Sequence, residues 1–219
     1  MIAKSRNPAQ VSAVNLPNSI TLARLFLTVI YVAAASITGN AAAWIALAAF
    51  VIAAATDWLD GYLARKLNLV TALGKLLDPL VDKILVCAAF VHLSLEHLCP
   101  MWVTILIIAR EFLVTGLRQI AVERGIVMAA DRWGKWKATF QMIFVIVALL
   151  WLSLPAETTG IGRGLRWCVD PAQFATPTLM WIALFLTCLS GWNYLRASWG
   201  FFVDLPARES AGRSSERID

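Results

Sequence analysis

Long apolar runs, broken by short charged stretches, dominate the chain. Six of them, approximately Ser19–Ile37, Ala41–Leu63, Leu76–Leu95, Met101–Ala121, Trp136–Leu154 and Pro177–Trp199, are each near the ~20 residues that carry an α-helix across ~30 Å of hydrocarbon. No sequence period repeats. The pattern predicts an all-α integral membrane protein, a six-transmembrane-helix bundle over residues 15–200 with a polar cavity facing the cytosol. Residues 1–14 form a cytosolic amino-terminal tail of weak amphipathicity. Residues 201–219, rich in Ser, Arg and Glu from Pro206 on, read as a flexible cytosolic tail.

Composition agrees about the solvent. With 59% hydrophobic residues, 15% charged residues and ten tryptophans, an ordinary soluble domain is excluded. The net charge of +5 points to anionic lipid surfaces and not to nucleic acid, because the basic residues border apolar spans and form no stripe with stacking aromatics. Placing the amino terminus in the cytosol puts 17 of the 19 Lys and Arg on that side and leaves only Arg163 and Arg166 outside, which fixes the expected orientation.

Carboxylates interrupt this pattern where they are least expected. Asp57-Trp-Leu-Asp60-Gly61-Tyr-Leu-Ala64-Arg65 closes the second span, and Gly74, Asp78 and Asp82 open the third. An ionisable group deep in a bilayer helix is unfavourable by at least ~2.5–3.5 kcal/mol, so such groups mark function. Asp57, Asp60 and Ala64 are spaced i, i+3, i+7, and Asp78 and Asp82 i, i+4, so two helix ends each present two carboxylates on one face. Four anions brought together need cations, and the set reads as a metal site. Gly61 and Ala64 free space on the aspartate face, either for a nucleotide or for close helix packing. Asp78-Pro79 admits two geometries: Asp78 as an N-cap with Pro79 at the first helical position, or Pro79 within a helix begun near Thr71.

The full pattern, D-x2-D-G-x2-A-R-x8-G-x3-D-x3-D, resembles the signature of the CDP-alcohol phosphotransferases, integral membrane enzymes. The resemblance implies that Asp57, Asp60 and Asp78 bind two Mg2+ or Mn2+ ions, and that Asp82, at the same metal cluster, is the general base. It implies a donor site for a CDP-linked lipid at Asn18, Asp60, Gly61, Ala64, Arg65 and Gly74, with Arg65 gripping the diphosphate or positioning the cluster. It also implies a homodimer.

Other segments bear on the acceptor. Asn15-Leu-Pro-Asn18-Ser-Ile-Thr21-Leu-Ala-Arg24, Ile108-Ala-Arg110-Glu111 with Leu117-Arg118, and Gly134-Lys135-Trp-Lys137-Ala138-Thr139-Phe-Gln141 are similar to blocks of the bacterial phosphatidylglycerophosphate synthase branch. Ala138 departs from that branch's usual Gly-Lys-x-Lys-Thr run. The likeness implies transfer of a phosphatidyl group from CDP-diacylglycerol to glycerol 3-phosphate, releasing CMP, at a bacterial inner membrane. From charge alone, Arg118, Lys135 and Lys137 form a cationic set suited to the acceptor's phosphate, or else are ordinary positive-inside residues touching lipid phosphates. Arg110 and Glu111 pair with each other or with neighbouring helices in the alternative reading.

Competing functions are another acceptor in the same family (inositol phosphate or a phospholipid), an aspartate-rich membrane prenyltransferase, and a divalent-cation transporter. Six spans are too few for the prenyltransferase. A transporter would hold its carboxylates near the midplane. Cys99 and Cys168 fall on the expected outer side, where a disulfide is permitted; His92 and His97 lie there too, far from the aspartates, and read as interfacial.

Overall fold

The computed structural model describes the backbone of residues 16–67, 72–123, 132–157 and 159–203, and the side chains of residues 21–56, 81, 83–122, 132–157 and 159–198. The tails 1–14 and 204–219 lie outside the described residues. Among the described residues there are seven helices and no strand: α1 (Leu16–Ala35), α2 (Asn40–Leu67), α3 (Ala72–Leu95), α4 (Met101–Glu123), α5 (Arg132–Ser153), α6 (Ile161–Val169) and α7 (Ala175–Val203).

Six of these follow the six apolar runs and are 20–29 residues long. Within the described residues, Arg132–Ser153 and Ala175–Ser198 are long and apolar enough to cross a membrane unaided. Shorter apolar stretches occupy Thr21–Ala35, Asn40–Thr56 and Lys83–Leu95. The chain divides into two compact units, one of Met1–His92 with Leu149–Arg163, the other of Leu93–Ala148 with Gly164–Asp219.

In the first unit α1 packs along α2. The buried face of α1 is Thr21, Arg24, Thr28, Tyr31 and Ala34, and that of α2 is Ala42, Ala46, Ala49, Phe50 and Ala53. Both recur every three to four residues, the helical period. The alanines of α2 form a narrow seam that lets a helix approach closely, as membrane helices favour. Tyr31 is fully buried in this packing, with its ring 5.8 Å from that of Phe50. Its hydroxyl shares a 2.9 Å hydrogen bond with His92 Nδ1 of α3, so that histidine is tied to a buried tyrosine and is not simply an interfacial residue. Gly39, at φ 131°, turns the chain between α1 and α2 in a conformation that a side chain would strain.

Helix α3 settles the Asp78-Pro79 alternatives. It begins at Ala72 and runs through both residues, so Pro79 lies inside the helix and Asp78 is not its cap. Pro79 has no N–H to give to the carbonyl of Lys75, and the ladder there lacks one hydrogen bond. Beyond α3, His97 takes φ 58°, in the left-handed region that commonly closes a helix, and Leu98 N–H donates to the Leu93 carbonyl at 2.9 Å.

The second unit mixes polar groups into an apolar interior and leaves large apolar side chains outside. Along α7 the buried positions include Thr176, Ala183, Thr187, Ser190 and Ser198, whereas Trp181, Phe185 and Trp192 are exposed. On α4, Glu111 and Thr104 are buried while Trp102, Ile105, Phe112 and Leu113 face outward. Gln141 of α5 donates to Thr187 at 3.0 Å, and Thr187 donates to the Ala183 carbonyl at 2.6 Å. Polar groups turned inward and bulky apolar groups turned outward fit a hydrocarbon solvent, in which backbone and side-chain dipoles must find protein partners. The apolar helices suggest a membrane protein. Cys99 and Cys168 are both free thiols: Cys99 is buried and accepts from Thr104 Oγ1 at 3.4 Å, and Cys168 is exposed. Burial pushes the Cys99 thiol above its ordinary range, opposed in part by that hydrogen bond.

Candidate functional site

The first unit carries the aspartate motif. Helix α2 runs unbroken through Asp57, Asp60, Gly61, Ala64 and Arg65 to Leu67, and α3 carries Gly74, Asp78 and Asp82. The i, i+3, i+7 and i, i+4 spacings therefore lie on regular helix, each set on one face. Four residues join the two helices, which holds Leu67 and Ala72 within roughly 18 Å of each other by chain length alone. The side chains of Asp57, Asp60, Gly61, Ala64, Arg65, Gly74, Asp78 and Asp82, and that of Asn18 on α1, lie outside the described residues. Among the described residues no three His, Cys, Asp or Glu come together. As a donor set, four carboxylates and no thiol or imidazole suit a hard divalent cation such as Mg2+ or Mn2+. Arg24, also in this unit, is 3% exposed on the α1 face that packs on α2.

The second unit holds a buried ionic cluster on α4, α5 and α7. Glu111 Oε1 accepts from Lys137 Nζ and, at 3.3 Å, from Arg110 Nη1. Arg110 Nη2 donates to Ser190 Oγ at 2.5 Å, and its guanidinium lies 5.9 Å from the centre of the Tyr194 ring. Gly191 makes room for it: a Cβ there would stand 3.1 Å from Arg110 Cγ. The side chains of Arg110, Glu111 and Lys137 are only 10%, 10% and 6% exposed, so two cations share one carboxylate in a desolvated setting. Arg110 Nε is buried and lacks a hydrogen-bond partner.

The expected pairing of Arg110 and Glu111 with each other and with neighbouring helices is therefore present. The cationic set on Arg118, Lys135 and Lys137 is arranged differently from a simple cluster. Lys137 is buried against Glu111, whereas Arg118 and Lys135 are exposed. Lys135 and Lys137 are two residues apart and so lie on opposite sides of α5. Ser190, Gly191 and Tyr194, which hold Arg110, were not expected to bear on the site. Their signal was a stripe of small and polar residues along α7, visible in the sequence but without an indicated partner.

Glu111 should matter for stability as well as geometry. Glu111→Gln is expected to lower unfolding stability by about 3 kcal/mol, because it removes the carboxylate charge that the buried Lys137 and Arg110 share. Replacing Lys137 by Met in the same chain should recover part of the loss. Thermal unfolding of the detergent-solubilised variants checks both, and an unchanged midpoint for Glu111→Gln alone refutes the role.

Comparison with known proteins places this arrangement. Residues 14–189 match the family model of the CDP-alcohol phosphatidyltransferases. A Bacillus subtilis protein named CDP-diacylglycerol–glycerol-3-phosphate 3-phosphatidyltransferase is 43% identical over 197 residues, covering 84% of this chain and 95% of that protein. Proteins of the same name from Haemophilus influenzae and Rickettsia felis are 36% and 35% identical, covering 87% and 86% of this chain and 96% and 97% of those proteins. With the aspartate motif complete and the match running through α1 to α7, the chain belongs to the CDP-alcohol phosphatidyltransferase family.

Proposed function

We propose that this protein transfers the phosphatidyl group of CDP-diacylglycerol to sn-glycerol 3-phosphate, giving phosphatidylglycerophosphate and CMP. The observation that carries this reading is a complete aspartate motif in a chain that aligns nearly end to end with relatives bearing that one name. The six long helices would span the bacterial cytoplasmic membrane, with both termini and the aspartates on the cytosolic side and two copies forming a homodimer. The donor's acyl chains would stay in the bilayer while its diphosphate reaches the aspartates.

Use of divalent metal ions is general in the family. Asp57, Asp60 and Asp78 would hold two Mg2+ or Mn2+ ions, with Asp82 beside them, and the bound cations would supply neutralisation of the diphosphate charge. Asn18, Asp60, Gly61, Ala64, Arg65 and Gly74 would line the donor site, Arg65 adding a guanidinium suited to phosphate oxygens. Asp82 accepts the proton of the acceptor hydroxyl as that oxygen bonds to the phosphorus next to diacylglycerol. The bond from that phosphorus to the CMP oxygen breaks, and CMP leaves with the electron pair.

Arg118, Lys135 and Lys137 would bind the acceptor's own phosphate. Lys137 would do so while bonded to Glu111. Arg118 and Lys135 are exposed, which makes them the better probes. Lys135→Gln or Arg118→Gln should lower acceptor efficiency about tenfold to a hundredfold, each lost charge-assisted hydrogen bond being worth roughly 1.5–3 kcal/mol. The KM for CDP-diacylglycerol should change little. The check is CMP release by purified protein across a panel of alcohols including glycerol. Preference for another alcohol refutes the acceptor, and equal losses with glycerol and glycerol 3-phosphate assign these cations to folding or lipid contact.

A further inference from the structure

Helix α6 carries none of the motif residues named above, yet its surface is unusual. Ile161, Leu165 and Cys168 follow one another at helical spacing and share a face that protein leaves open; Ile161 is 94% and Leu165 42% exposed, and Cys168 is exposed too. Arg163 and Arg166, three residues apart, occupy the other side together with Trp167, which is 63% exposed. Large apolar side chains are normally withdrawn from water, so such a face implies a covering layer.

Three observations say which layer. First, α6 lies between Arg132–Ser153 and Ala175–Ser198, the two helices long and apolar enough to cross a membrane. A connection between the end of one span and the start of the next lies at the membrane surface, and nine residues, roughly 14 Å of helix, cannot cross. Second, the Val169 carbonyl accepts from Thr176 Oγ1 at 2.8 Å, which ties the end of α6 to the first turn of α7. Third, the helix contains two arginines and no acid. Glu157 precedes it, and Asp170 follows it with its carboxylate accepting from the Ala172 N–H at 2.8 Å. An apolar face flanked by guanidinium groups and tryptophan matches acyl chains below and phosphates beside.

We propose that α6 is a membrane-surface anchor, its Ile161–Leu165–Cys168 face embedded at the acyl boundary and the exposed Arg163 bound to the phosphates of anionic phospholipids. The anchor rests on α5 and α7 being membrane spans, and is independent of which alcohol accepts the phosphatidyl group. It also accounts for Arg163, one of the two arginines that break the charge asymmetry of the chain.

The test uses the full chain in nanodiscs of phosphatidylcholine with and without phosphatidylglycerol. Cys168 is kept as the sole cysteine and spin-labelled, and a second chain carries the label at Glu157→Cys as a water-exposed reference. CMP release confirms that both remain folded. With phosphatidylglycerol present, the label at 168 should collide readily with oxygen and poorly with a water-soluble nickel chelate, the reverse of the label at 157. Arg163→Gln should reduce the embedded population about fivefold, and Arg166→Gln, at a half-buried side chain, by less. Mapping the reaction of a charged maleimide at Cys168 of the unmodified chain repeats the measurement without cysteine replacements.

Equal nickel access at 168 and 157 overturns the proposal. Shielding from both oxygen and nickel means that protein, a second copy included, covers the face, and overturns it as well. Embedding that ignores both phosphatidylglycerol and the arginines refutes the anionic headgroups. A chain that alkali strips from vesicles refutes the spans and the anchor together, whatever its activity.

Discussion

Asp82→Asn is expected to lower turnover by at least ~10^2-fold and by up to ~10^4-fold, the range over which a positioned general base acts. The amide keeps nearly the size and shape of the carboxylate but cannot take the proton of the attacking hydroxyl. Helix α3 runs through position 82 without a break, so the substitution falls within regular helix and not at a cap. Binding of CDP-diacylglycerol should survive. Single-turnover release of CMP separates the two effects, since the burst should slow while the donor concentration for half-saturation stays near its native value. An Asn variant that turns over at the native rate would remove Asp82 from the chemistry and leave it as a fourth cation ligand.

Removal of divalent cations should abolish activity altogether. Excess EDTA is expected to stop CMP release, and Mg2+ or Mn2+ added beyond the chelator should restore it. Asp57→Ala, Asp60→Ala and Asp78→Ala should each weaken cation binding at least ~10-fold, because even partners one shell removed from a metal commonly matter that much. Titration calorimetry with Mn2+ reads this binding without any substrate. Hard oxygen donors are what these cations select, so Cys or His replacements at the same positions should not rescue Mg2+. Full activity in excess EDTA would refute the two-metal reading, and activity that tracks cation binding across the three variants would support it.

The six long helices were legible because each follows one long apolar run of the sequence. An apolar run of about 20 residues has few other uses, and α1 to α5 and α7 each fall on one of the six expected runs. The aspartate motif was legible for a related reason. Carboxylates are so unfavourable beside apolar helix that Asp57, Asp60, Asp78 and Asp82 stand out before any partner is known. The nine-residue α6 escaped notice because it is too short to span and its two glycines, Gly162 and Gly164, argue against a helix. Its Ile161–Leu165–Cys168 spacing was the available signal. Pro79 inside α3 was one of two local geometries, and local rules alone could not choose between them.

Sequence by itself determined the long helices and the family, because hydrophobic length, helical period and motif spacing are properties of consecutive residues. It showed that Arg110, Glu111 and Lys137 carry charge where charge is unfavourable, but not that one carboxylate serves both cations. Tertiary structure alone decided that Lys137 turns to Glu111 while Lys135 faces outward, and that Ser190, Gly191 and Tyr194 receive Arg110. It alone joined Tyr31 to His92 and left Cys99 and Cys168 as separate thiols. The physical reason is common to all of these. A period of 3.6 residues states which side chains share a face, whereas the identity of the facing helix depends on packing between segments far apart in the chain.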